Sequence, residues 1–106
     1  MGLITTKLIK TVYIRENSGS KDVRYHFEKY DDFLYMPVLH TSLLLENKEH
    51  FWIESLLYDT RAELILIHDS IRVSYCEDIP ETHSKIKKDM KKKGWKLVEP
   101  EKQTEV

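Results

Sequence analysis

Apolar and polar residues alternate with a period of two over much of the chain's first third. In residues 3–15, Ile4, Leu8, Val12 and Ile14 share one parity with Thr6 and Lys10, in a stretch rich in Thr, Ile, Val and Tyr. That pattern predicts a long strand with one mostly buried face. The polar residues 16–22, containing Gly19, read as a turn. Val23, Tyr25 and Phe27 then alternate with Arg24, His26 and Glu28, giving a second strand that closes a hairpin with the first. Tyr30-Asp31-Asp32 reads as a second turn, followed by a short strand over 33–38. Pro37 lacks the N–H that a central strand would need.

The period changes near residue 47. With Asn47 as cap, a helix to Tyr58 would place Trp52, Ile53, Leu56 and Leu57 on one face, widened by Phe51 and Tyr58. A strand is the competing reading of this segment. After the break at Asp59-Thr60-Arg61, Leu64–Ile67 is continuously apolar, and Ile71, Val73 and Tyr75 alternate with Arg72 and Ser74. His68-Asp69-Ser70 between these arms reads as a tight hairpin. Thr60 and Glu63 have capping-box spacing, a helical alternative for the first arm, but its β-branched content favours a strand.

Asp78-Ile79-Pro80-Glu81 combines capping-box spacing with a proline in the first turn, where its missing N–H costs nothing. The helix it opens carries Ile79, Ile86 and Met90 as an apolar stripe and lysines in its last turns, where cations suit the dipole. Gly94 supplies a left-handed cap, and Trp95 is the apolar residue that folds back towards Met90. Trp95, Leu97 and Val98 begin a short strand, and the polar tail over 100–106 reads as disordered. The expected fold is α+β: a small, mostly antiparallel sheet built from hairpins, with one or two helices, including a Lys-rich C-terminal one. A single domain covers residues 1–99.

At 106 residues, one modest core can form, which excludes a multi-domain enzyme or a full dinucleotide-binding unit. No stretch approaches the ~20 apolar residues of a membrane span, and no charged segment precedes an apolar one at the N-terminus. Met1-Gly2 with Thr6 meets the myristoylation spacing formally, but the strand pattern runs through it. The lone Cys76 excludes an intramolecular disulfide framework. A cytoplasmic location, away from membranes, is expected. A single alanine and three glycines beside abundant Lys, Ile and Tyr suggest an AT-rich genome, as in low-GC bacteria and their phages.

Chemistry-bearing motifs are missing. There is no P-loop, G-x-G-x-x-G, G-x-S-x-G or H-E-x-x-H. His68, Cys76 and His83 lack the close pairing typical of zinc ligands, and Glu77-Asp78 beside Cys76 would raise rather than lower its thiol pKa. No catalytic residue, metal or cofactor is therefore assigned, and a non-enzymatic protein is expected.

Charge adds a different lead. The chain has 17 basic and 18 acidic residues, yet residues 83–96 hold seven lysines against Asp89 alone. The molecule should be electrically polarised, able to steer towards phosphate or an acidic surface. Tyrosines on predicted strands add rings of the kind enriched at interface hot spots. The candidate partner-binding residues are Lys85, Lys87, Lys88, Lys91, Lys92 and Lys93 with Tyr25, Tyr30, Asp31 and Asp32. The functional expectation is a small protein-binding module, of the kind phages or mobile elements carry to inhibit a host or defence protein by occupying its functional surface. The alternative is non-specific nucleic-acid binding through the basic helix of Lys85–Lys96, salt-sensitive and without the arginines used for base readout.

Overall fold

A computed structural model describes residues 3–16, 22–76 and 79–98. Its elements, in chain order, are β1 (Ile4–Glu16), β2 (Asp22–Phe33), β3 (Ser42–Leu44), a 3-10 turn (Glu46–Lys48), β4 (His50–Trp52), β5 (Ser55–Asp59), β6 (Leu64–Cys76), α1 (Ile79–Lys92) and β7 (Lys96–Leu97). The large sheet runs β5-β6-β1-β2-β7, and β3 and β4 form a separate two-stranded ribbon. The fold is α+β, a mostly strand structure with antiparallel hairpins and one helix among the described residues. The turn expected over 16–22, the Asp78 cap, the Cys76 side chain and the tail over 100–106 lie outside what is described.

β1 and β2 form the expected hairpin, with Val12 opposite Tyr25 and Lys10 opposite Phe27. Its strands run further than the sequence pattern suggested. Tyr30, Asp31 and Asp32 do not turn; they stay in β2, paired with Lys7, Thr6 and Thr5. The Thr5 hydroxyl donates to the Asp32 carboxylate at 3.0 Å, so an acidic pair that would favour a turn in isolation is accommodated by its cross-strand neighbour. The strand expected over 33–38 is absent beyond Phe33, and irregular backbone continues to residue 41.

Two further expectations are corrected. Residues 47–58 form no α-helix. Phe51 and Ile53 are buried while Trp52 and Glu54 are exposed, a period of two set by pairing rather than the helical face of the sequence reading. β4 finds a partner in β3, and β5 one in β6, so non-local ladders override local helical periodicity. His68-Asp69-Ser70 make no hairpin either. β6 runs straight through them, parallel to β1, with Leu8 opposite Ile67 and Val12 opposite Ile71. A turn there would strip the outer half of β1 of its second partner. The buried Asp69 carboxylate is held in the strand by the Trp52 backbone N–H, which donates to it at 3.0 Å. This junction makes the sheet mixed; its other three pairings are antiparallel.

The register puts Leu8, Val12 and Ile14 of β1, Phe27 of β2 and Ile65 and Ile67 of β6 on one face. Leu45, Phe51 and Ile53 of the ribbon region, with Met90 and Trp95, complete the buried cluster on that side. Each such side chain contributes roughly 1.5–3 kcal/mol through burial. The opposite face is mixed: Ile9, Leu57, Leu64 and Leu66 lie on it beside polar pairs, Lys7 with Glu28 at 3.1 Å and the Thr11 hydroxyl between His26 and His68 at 3.0 and 2.8 Å.

The end of α1 is fixed by backbone geometry. Gly94 has φ +90°, the Gly94 N–H donates to the Lys91 carbonyl at 3.0 Å and the Trp95 N–H to the Met90 carbonyl at 2.9 Å. That is the Schellman arrangement, and it turns the indole of Trp95 into the core.

Candidate interaction surface

Beneath the helix end lies a buried charge cluster. Lys10 is 3% exposed, although it sits between Leu8 and Val12 on the core face of β1. Its ammonium meets Glu49, in the ribbon loop, at 2.9 Å. The Trp95 indole N–H also donates to Glu49, at 3.1 Å. Lys29 approaches the same carboxylate at 3.7 Å and donates to the Lys93 carbonyl at 3.2 Å. Burial alone would push the Glu49 carboxyl up. The hydrogen bonds from Lys10 and Trp95, with the charges of Lys10 and Lys29, outweigh it and hold the group below its ordinary value. The cluster ties β1, β2, the ribbon and α1 together. Lys10 and Glu49 are enclosed and paired with each other, which makes the cluster a tie between these elements.

The lysines of the sequence reading lie on the solvent side. Lys85, Lys88, Lys91, Lys92 and Lys93 are exposed, and Lys85, Lys88 and Lys92 share a shallow surface groove with Glu81 and Asp89. Lys87 is also exposed, with its ammonium 4.8 Å from the centre of the Tyr25 ring. Tyr25 is half-buried under the helix, its hydroxyl 2.7 Å from His83 Nδ1. Tyr30 projects from the opposite face of β2 beneath the Lys7 ammonium. Asp31 and Asp32 lie at the end of β2, where the Asp31 carboxylate accepts the Asp32 N–H at 2.8 Å. The structure thus separates the lysines and Tyr25, gathered at the helix, from Tyr30, Asp31 and Asp32 at the end of β2.

Next to that acidic pair lies a surface that sequence reasoning missed. After Phe33 the chain exposes Leu34 (73%), Tyr35 (82%), Met36, Val38 and Leu39, while Pro37 between them is buried. Lone exposed apolar residues need no explanation, but a run of them marks a contact surface. Pro37 cannot extend the β2 ladder and anchors the middle of the segment. The segment's far end is fixed by the ribbon. The His40 N–H donates to the Ile53 carbonyl at 2.8 Å, the Ile53 N–H returns to Thr41 at 2.9 Å, and the Thr41 hydroxyl donates to the Val38 carbonyl at 2.6 Å. His40, at φ +62°, stacks on Trp52 with ring centres 6.1 Å apart. Between this loop and the ends of β2 and β3 runs an open groove of about 470 Å³, from Asp32 and Phe33 to Thr41 and Leu43. The apolar residues were legible in the sequence, but the strand expected over 33–38 carried no sign that the fold leaves them exposed.

Among the described residues, no group of three His, Cys, Asp or Glu side chains could hold a metal ion. No helix among them is long and apolar enough to cross a membrane. No family model matches the chain, and no curated protein or solved structure matches it significantly.

Proposed function

We propose that this chain is a protein-binding module that seats an apolar segment of another protein in the groove beside Leu34–Leu39. One observation carries the reading: a run of exposed apolar side chains, interrupted only by the buried Pro37, on a loop whose far end is hydrogen-bonded to the ribbon. A loop tied down at one end loses less conformational freedom on binding than a free one, so more of its contact energy reaches affinity. Asp32 at the groove's edge, with Asp31 next to it in the chain, favours a partner segment whose apolar anchors are flanked by lysine or arginine. Binding of this kind needs no catalytic group in the chain, and it suits an accessory protein that inhibits a host or defence protein by covering its working surface.

The test is a photo-crosslinking amino acid placed at Tyr35 and, separately, at Lys88, with both proteins exposed to lysate of a low-GC bacterium. The expected outcome is a discrete protein adduct from position 35 that survives nuclease and disappears with Leu34→Asp. Adducts from position 88 alone would overturn the reading. Nuclease-sensitive adducts there would favour the second one, non-specific nucleic-acid binding, which rests on the shared exposure of Lys85, Lys88, Lys91 and Lys92.

A further inference from the structure

The large sheet ends on one side in β7, only two residues long, and on the other in β5, Ser55–Asp59. An edge strand presents unpaired N–H and C=O groups at alternate residues, and proteins usually blunt such edges with lysine, proline or a bulge. β5 has none of these protections. Its sequence is Ser-Leu-Leu-Tyr-Asp, and Leu56, Leu57 and Tyr58 are 36%, 62% and 55% exposed.

We propose that the β5 edge is a self-association site, where a second copy of this chain pairs antiparallel with the first and extends the sheet across a two-fold axis. A two-fold perpendicular to a continuous sheet must place one residue opposite its own copy. In a five-residue strand the central residue is Leu57, and this register is self-complementary throughout. Leu57 meets its counterpart on the face opposite the core, where it is paired with Leu66 of its own sheet. Leu56 meets Tyr58 on the core face, twice by symmetry, an aliphatic–aromatic cross-strand pair. Ser55 meets Asp59, a hydroxyl opposite a carboxylate.

The flanks match in charge. Glu54, just before β5, is exposed, with its carboxylate accepting the Ser70 hydroxyl at 2.9 Å. Arg61, just after β5, is exposed on a turn held by the Asp59 carboxylate, which accepts its N–H at 3.0 Å. Across this two-fold axis, Glu54 of one copy and the turn carrying Arg61 of the other lie at the same end of the paired strands, so unlike charges flank the interface at both ends. A parallel pairing would bring like ends together instead, Glu54 on Glu54. A five-residue edge covers less than the ~800 Å² per partner of a standard interface, so the dimer is reversible and concentration-dependent. This site lies apart from the groove beside Leu34–Leu39 and does not depend on what that groove binds.

Light scattering and sedimentation of the full chain test it. The expected mass rises from 12.7 kDa towards twice that value with concentration. Leu57→Lys sets two ammonium groups against each other and leaves a monomer with unchanged melting. In a Cys76→Ser background, Leu57→Cys should oxidise to a linked dimer, because antiparallel neighbours have Cα atoms roughly 4.5–5.5 Å apart, within disulfide range. Leu44→Cys, on the separate ribbon, should not. Arg61→Glu should weaken dimerisation about tenfold, and adding Glu54→Arg should restore it. A mass that stays monomeric at every concentration overturns the proposal, as does Leu57→Cys linking no faster than Leu44→Cys. A dimer that survives Leu57→Lys, or a charge swap that fails to restore it, overturns the register. The crosslinking arm stands even if Leu57→Lys does not fold.

Discussion

Trp95 is where backbone geometry and side-chain chemistry meet. Its N–H closes the cap on α1, its ring stacks on Phe51 with centres 6.1 Å apart, and its indole N–H feeds Glu49. Trp95→Ala should cost about 3–5 kcal/mol in denaturant unfolding, the range for a large buried aromatic. A loss under about 1 kcal/mol would show that the indole anchors little. Gly94→Ala should cost roughly 1–2 kcal/mol, even though nothing lies within 4 Å of the added methyl, because φ +90° disfavours any Cβ. Glu49 carries the pH dependence. Its carboxyl is held below the ordinary 4.5 in the folded state, so its stabilisation is fully present above that value. It is lost as pH falls below 4.5 towards the lowered folded value. Glu49→Ala leaves Lys10 buried without its carboxylate partner and should cost about 3–5 kcal/mol at neutral pH. It should also flatten the acid limb of a melting-against-pH curve, and an unchanged limb would assign that limb to other groups.

At the scale of elements, the hairpin of β1 and β2 and the cap at Gly94 and Trp95 were legible because their signals are local. Alternation over Val23–Glu28 needs only its own pleat, and a glycine followed by an apolar residue specifies a helix end. The segment over 47–58 was not legible, because Trp52, Ile53, Leu56 and Leu57 fit a helical face as well as a strand. The decision rests on β3 and β6, distant in sequence, which supply the ladder. Asp69 misled for a similar reason. A polar triplet normally ends a strand, yet here a carboxylate meets the N–H of Trp52 from another element. Asp69→Ala should cost roughly 1–3 kcal/mol by orphaning that N–H, measured by urea denaturation, with faster hydrogen exchange at Trp52. Unchanged exchange there would mean that the contact does not hold β4 in place.

For the whole molecule, two candidate partner surfaces stand apart from each other and from the β5 edge. The lysine face of α1 and the apolar loop beside Asp31 and Asp32 differ in chemistry and should differ in salt response. Replacing Lys87, Lys88, Lys91 and Lys92 with Gln should leave capture at Tyr35 nearly unchanged at physiological salt, whereas Leu34→Asp should abolish it. If the quadruple variant loses capture and binding falls steeply with salt, the helix is the working surface, since phosphate contacts give a log–log slope of about −0.9 each on duplex DNA.

By itself the sequence determined the strand-rich character, the leading hairpin, the helix end with its buried tryptophan, and the uneven distribution of charge. All of these depend on period, turn chemistry or composition within a few residues. Only the tertiary structure decided that β6 lies parallel to β1, that Lys10 is buried on Glu49, and that Leu34–Leu39 is exposed rather than part of a covered strand. An apolar run carries no local mark of whether the fold covers it. That depends on which segments arrive to pack against it, and here the ribbon fixes the loop's far end while leaving its apolar face to solvent.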